Sequence, residues 1–185
     1  MRKSIVSFAG GSLLLFANLY LCAQDKINQN NKWDFNVGIR ASVPVTTYFK
    51  ETQSFGLGAE LRESYNVSNN FALGGSVVYD HFFGKKYTQG NTEYRYDAFS
   101  WTSLNVTTQY RSNQGLLLGV DAGIAFLGYS GSSTTAFNLQ GNAGYTWDCH
   151  AHRVGLVAFY DTYMKNGDHD DALGLKFMYD FRGGK

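Results

Sequence analysis

Several groups of residues in this chain could do chemistry. Asp148-Cys149-His150-Ala151-His152 sets oxygen, sulfur and nitrogen donors side by side. Zinc takes convergent ligands from several directions, and Cys-His-x-His on a tight turn reaches poorly around one ion, so a solvated turn is the better reading. Asn166-Gly167-Asp168-His169-Asp170-Asp171 packs oxygen donors as a calcium loop would. It lacks the spaced ligands and closing bidentate Glu of such a loop, and reads as a polar hairpin with His169 facing water. His81 could activate a serine, which requires a Ser within hydrogen-bond reach and an acidic group to orient the imidazole. Phe82 and Phe83 follow it, and Ser100 on the next apolar segment approaches only under one register. Finally, Arg40, Glu60, Arg62, Asp80, Asp121 and Lys176 are far apart in sequence. If folding brought them together, they would form ion pairs or line a conduit. No P-loop or dinucleotide fingerprint is present, and nothing in the sequence calls for a cofactor.

What would position these residues is a set of β-strands. Of 185 residues, 44% are hydrophobic and 16% aromatic but only 17% charged, with 21 Gly and a single Pro. That mix excludes a disordered chain and leans towards strands and tight turns. A net charge of +1 gives no electrostatic reason to expect a nucleic-acid partner. Residues 1–23 read as a signal peptide: Arg2 and Lys3, an interrupted apolar stretch, then Leu21-Cys22-Ala23 before the polar Gln24-Asp25-Lys26. The apolar stretch is too short and broken for a spanning helix. Cleavage after Ala23 would remove Cys22 and leave Cys149 alone, without an internal disulfide. Residues 24–32 form a short polar tail, 33–181 the folded body and 182–185 a C-terminal extension.

Along the body, apolar and small or polar residues alternate with a period of two, which separates the two faces of a strand. Trp33, Phe35, Val37, Ile39, Ala41 and Val43 oppose Asp34, Asn36, Gly38, Arg40 and Ser42. Segments beginning at Phe55, Phe71, Leu116, Phe137 and Leu173 repeat the pattern. In the fourth segment, Leu104 to Tyr110 alternates cleanly, but Phe99 and Trp101 sit in the other register, and a bulge near Thr102 would reconcile them. The seventh, Val154 to Met164, is apolar on both faces, so its facing is open. Connections at Asn66–Asn70, Arg111–Gln114 and Asp148–His152 are short; those at Pro44–Gln53, Gly84–Arg95, Gly128–Thr135 and Lys165–Asp171 are longer. Eight such strands with alternating turn lengths predict an all-β fold, an eight-stranded antiparallel up-and-down transmembrane β-barrel.

Volume decides which face meets lipid. A soluble ligand-binding barrel would point the apolar set inward, but eight strands enclose barely enough room for side chains, and these would overfill it. Turned outward, they coat a lipid-facing band, and the Gly, Ser, Asn and charged residues fit inside. Ring heights agree: Trp33, Tyr65, Phe71, Tyr110, Tyr145, Trp147, Tyr179 and Phe181 fall at one rim, and Phe55, Tyr79, Phe99, Trp101, Phe126 and Phe137 at the other. The inward charges, with Asp34, Asp161 and Asp180 as further candidates, are expected to pair and hold the barrel shut.

On this architecture, and on the closing segment Ala172–Phe181, the chain resembles the small outer-membrane barrels of the OmpA transmembrane domain and OmpX type. The resemblance covers residues 33–181. It implies an assembly signal at Gly174, Phe177, Tyr179 and Phe181, read by the barrel-assembly machinery, although Arg182-Gly183-Gly184-Lys185 follows where the family usually ends on the aromatic. It also implies a monomer in the outer membrane of a Gram-negative bacterium, its amino terminus periplasmic, in contact with outer-membrane lipids and lipopolysaccharide. The expected role is structural or surface-interacting, without catalysis or an open pore. Some barrels of this size modify lipid A, and for that alternative His81 would be the residue to test. The loop Phe83–Tyr96 mixes Lys85, Lys86 and Arg95 with Tyr87, Tyr94 and Tyr96, types suited to contact with a surface or with lipopolysaccharide phosphates.

Overall fold

The computed structural model describes residues 32–129, 132–149 and 152–182. The expected signal peptide, all but Lys32 of the polar tail, and residues 183–185 lie outside the described residues. The barrel strands are β1 (Trp33–Pro44), β2 (Gln53–Asn66), β3 (Phe71–Gly84), β6 (Phe99–Arg111), β7 (Leu116–Tyr129), β8 (Ser132–Cys149), β9 (His152–Lys165) and β10 (Asp168–Arg182). A short helix α1 (Thr47–Thr52) joins β1 to β2, and a two-stranded hairpin, β4 (Lys86–Gln89) and β5 (Thr92–Arg95), joins β3 to β6. Each barrel strand pairs antiparallel with its neighbours, and β1 pairs with β10 to close the barrel. Closure leaves no strand edge, so the backbone can be satisfied without water. Among the described residues no helix is long and apolar enough to cross a membrane.

Burial follows the period of two and is inverted relative to a soluble protein. Ile39 is 67% exposed and Val106 71%, while Arg40, the next residue after Ile39 on β1, is 3% exposed and Asp121 is fully buried. The apolar faces therefore point out and the polar faces in. On β9, the strand of open facing, Val157, Phe159, Asp161 and Tyr163 are buried, while Leu156 and Tyr160 are exposed.

Several expectations are corrected. The bulge near Thr102 is absent: β6 pairs with β3 and β7 in unbroken register from Phe99. Trp101 therefore belongs to the inward row with Ser103, Asn105 and Thr107 and, like Phe99 packed against it, leaves the outer aromatic rim. It is stabilised inside because its indole Nε1 donates to Asp80 Oδ2 at 2.9 Å and its ring stacks on Tyr163 at 3.6 Å. The Lys165–Asp171 connection is a tight turn at Asn166-Gly167, both in the left-handed region (φ 53° and 93°), with Asp168 to Asp171 already in β10. Asn-Gly is the residue pair that such a hairpin turn demands. The Gly128–Thr135 connection likewise contracts, since β7 runs to Tyr129 and β8 resumes at Ser132.

Candidate functional site

The inward row of the strands converges on one ion network. Arg40 on β1 places Nη1 3.4 Å from Glu60 Oε2 and donates from it to Gln140 Oε1 at 2.9 Å. Its Nη2 lies 3.1 Å from Asp80 and pairs with Asp161. Glu60 accepts from Lys176 Nζ at 2.7 Å and from Arg62 Nε at 2.7 Å. Arg62 Nη2 then reaches Asp121 Oδ2 at 2.5 Å. Arg40, Glu60, Arg62, Asp80, Asp121 and Lys176 thus stand together in the middle of the lumen, with Asp161 joined to them. Acidic groups outnumber basic ones there, and neutral donors take up the excess. Gln140 and Asn142 donate to Asp121 at 3.0 and 2.9 Å, and Trp101 donates to Asp80. Charges persist at such burial only when paired and hydrogen-bonded. Arg40 also lies 3.9 Å from the centroid of the Phe159 ring, a cation–π contact.

Small inward residues make this approach possible. A Cβ at Gly58 would stand 2.0 Å from Asp80 Oδ1, so any larger residue would displace the carboxylate that Arg40 and Trp101 hold. Gly174, a residue of the expected assembly signal, also faces inward, where a Cβ would meet the Phe159 ring at 2.4 Å. Phe177 and Phe181 are exposed on the outer face, and Tyr179 is half-buried between His152 and Phe181.

Apolar layers lie above and below the network. At the end carrying α1 and the hairpin, Phe49 is turned in against Phe82 and Trp101, with ring centroids 4.8 and 5.6 Å away. The helix that carries it is latched on both sides. Val45 donates to the Asp171 carbonyl at 2.8 Å, Asp171 N to Thr46 Oγ1 at 2.7 Å, and Lys85 N to the Thr52 carbonyl at 2.8 Å. Towards the end with short turns, Leu117, Val157 and Met178 pack together inside the barrel. Beyond them is a second set of charges. Arg111 lies 3.4 Å from Asp34 and 3.7 Å from Asp180, and Arg153 lies 3.8 and 3.7 Å from the same two carboxylates.

Parity in the sequence already marks Gln140 and Asn142 as inward. Phe49 carried no such signal, because it arrives from a connecting segment whose contacts are set only by tertiary folding. The other candidate groups are dispersed. Asp168 and Asp170 fall on the opposite face of β10 from His169 and Asp171, so these carboxylates do not converge. In the Cys-His stretch, Asp148 pairs with Arg153 Nε at 2.6 Å, and residues 150 and 151 lie outside the described residues. Among the described residues no group of His, Cys, Asp and Glu is arranged to hold a metal ion. His81 does meet Ser100: the register pairs them, and Nδ1 lies 2.7 Å from Ser100 Oγ on the outward face. The neighbours of His81 on that face are Leu57, Tyr79 and Phe83, which include no carboxylate to orient the imidazole.

No protein-family model matches the chain, and no curated protein resembles it in sequence. Solved structures do match its fold. Neisserial surface protein A (NspA) superposes with a TM-score of 0.56 at 10% identity, over 82% of this chain and 97% of that one. The N-terminal β-barrel domain of Pseudomonas aeruginosa OprF gives 0.50 at 15% identity, over 80% and 97%. The attachment invasion locus protein Ail of Yersinia pestis gives 0.47 at 18% identity, over 82% and 99%. The chain has the fold of the small eight-stranded outer-membrane barrels.

Proposed function

We propose that this chain is exported by residues 1–23 and resides as a monomer in the outer membrane of a Gram-negative bacterium, with its turn end and amino terminus periplasmic. It serves there as a closed structural or surface-interacting barrel, without catalysis. The observation that supports this reading is the inversion of burial. A belt including Ile39, Leu57, Val106 and Val120 is exposed, while Arg40, Glu60, Arg62 and Lys176 are buried. In water that belt would be a contiguous apolar patch far larger than soluble monomers show. In a bilayer it is the lipid-facing band, bordered by Trp33, Phe71, Tyr110 and Phe181 at one rim and Phe55, Tyr79, Phe126 and Phe137 at the other.

The lumen carries no ions on this reading, because the ion network sits between the Phe49 layer and the Leu117–Val157–Met178 layer. Lys85, Lys86 and Arg95, with the tyrosines of the β4–β5 hairpin, are the groups for contact with lipopolysaccharide phosphates. Residues Gly174, Phe177, Tyr179 and Phe181 serve as the segment read by the barrel-assembly machinery. Heat modification tests the proposal. The protein should require detergent for extraction, and the unboiled form should migrate faster on a gel than the boiled form. Extraction without detergent, or no shift in well-extracted material, would overturn it in favour of a soluble ligand-binding barrel. Liposomes containing the protein should swell no faster in sugar solutions than empty ones.

A second reading rests on the His81–Ser100 contact, which lies on the outward face near the hairpin end, at the height where lipid A esters would sit. A nucleophilic serine needs its histidine oriented by a third group, and the residues around His81 do not supply one, so the pair is read as a polar contact at the interface. Identical lipid A mass spectra from cells carrying wild type and His81→Ala support that choice. A lipid A modification lost in the variant would establish the enzyme.

A further inference from the structure

The outward wall formed by β1, β2, β3, β6 and β7 carries one side chain that does not belong in hydrocarbon. Glu63 alternates with Leu61 and Tyr65 on the outer face of β2 and is exposed. Among the described residues it is the only Asp, Glu, Lys or Arg on the outward face of those strands. Its register partners are Phe35 on β1 and Gly75 on β3, and no ion pair reaches it among the described residues. An ionisable group on a lipid-facing surface is costly, and where one persists a partner for it is expected.

Its height is set by its neighbours. Tyr65, two residues nearer the turn end, packs edge-on against Trp33 at 5.0 Å, and this pair belongs to the aromatic rim at the headgroup level. With strands tilted, two residues amount to roughly 5 Å along the membrane normal, so the Glu63 carboxylate can reach headgroup depth by bending towards the rim. From Glu63 towards the membrane centre runs a groove of about 710 Å³, whose outer lining includes Phe35, Gly75, Val77, Val106, Ala122 and Ile124. Gly75 lowers its floor. A carboxylate at headgroup height, at the mouth of an apolar groove in the lipid-facing wall, is complementary to an amphiphile with a cationic head and an aliphatic tail.

We propose that Glu63 and this groove form a binding site for a phospholipid with a primary ammonium headgroup, in the leaflet at the turn end. The ammonium pairs with the Glu63 carboxylate, and one acyl chain lies along the groove over Gly75. The site rests on the membrane reading above, and its test is separate from the gel shift that tests that reading.

The experiment is native mass spectrometry of the full chain in detergent, with equimolar phosphatidylethanolamine and phosphatidylglycerol added. Wild type should retain phosphatidylethanolamine over phosphatidylglycerol by roughly 5-fold, the scale of a single partly screened charge contact. Glu63→Gln should lose the preference and Glu63→Asp should keep most of it. Gly75→Leu, whose side chain would point into the groove and whose Cβ meets nothing closer than the Asn105 carbonyl at 3.6 Å, should weaken retention with Glu63 intact. Each variant should still show the heat-dependent gel shift. Equal retention of the two lipids by wild type, or a preference unchanged in Glu63→Gln, would overturn the site while leaving the barrel reading in place. Dimers of the wild type that disappear in Glu63→Gln would overturn it in favour of a second copy as the partner.

Discussion

The ion pairs at the middle of the lumen and those at its turn end use the same residue types under different conditions. In the middle, Glu60 holds Arg62 and Lys176 at 2.7 Å, with all three side chains out of contact with solvent. At the turn end, Arg111 and Arg153 stand 3.4 to 3.8 Å from Asp34 and Asp180, and the arginines keep 15% and 11% of their side-chain exposure. The apolar layer of Leu117, Val157 and Met178 lies between the two sets. Burial, and not the number of charges, decides what each pair contributes. A buried pair is costly to break because its survivor cannot be rehydrated; at the turn end Asp34 and Asp180 are buried too, but the arginines reach water and each carboxylate has both of them, so losing one costs less.

Mutations should separate the two sets. Glu60→Ala leaves Arg62 and Lys176 without their shared carboxylate and should destabilise the barrel by about 3–5 kcal/mol in urea titrations in lipid vesicles. Phe49→Ala opens the aromatic layer above the network and should cost about 3 kcal/mol by the same measurement, with a change in the fluorescence of Trp101 beneath it. Val120→Arg places a charge on the opposite, lipid-facing surface and should cost about 2–4 kcal/mol if that residue lies near the bilayer midplane. Arg111→Ala, at the turn end, should cost about 1–2 kcal/mol, because Asp34 and Asp180 are buried but keep Arg153 as a partner. Equal losses for Glu60→Ala and Arg111→Ala would mean that water reaches both sets alike, and the distinction drawn between them would fail.

The strands were legible in the sequence because a period of two sorts residues by face, and few Lys or Glu stood among the polar set to suggest a water-facing surface. The same parity put Arg40, Glu60, Arg62, Asp80, Asp121 and Lys176 on one side. Trp101 was misread because its ring matched an expected rim. Its true place depends on Asp80, Tyr163 and Phe49, residues distant in sequence whose positions no local pattern reports. The polar hairpin at Asn166-Gly167 was legible in the sequence, but its connection was drawn too long, because Asp168 to Asp171 are polar enough to look like a loop and yet pair with β9. Helix α1 is too short for any periodicity, and the partners that latch it, Asp171 of β10 and Lys85 after β3, are distant in sequence.

The inversion of burial has a direct measurement in the collision rates of a nitroxide side chain placed at Val120, compared with one at Tyr87 in the hairpin, in lipid vesicles. The account predicts that the Val120 label collides freely with oxygen, which concentrates in acyl chains, and is shielded from a water-soluble nickel chelate, with the reverse at Tyr87. A Val120 label as open to the chelate as the Tyr87 label would contradict it.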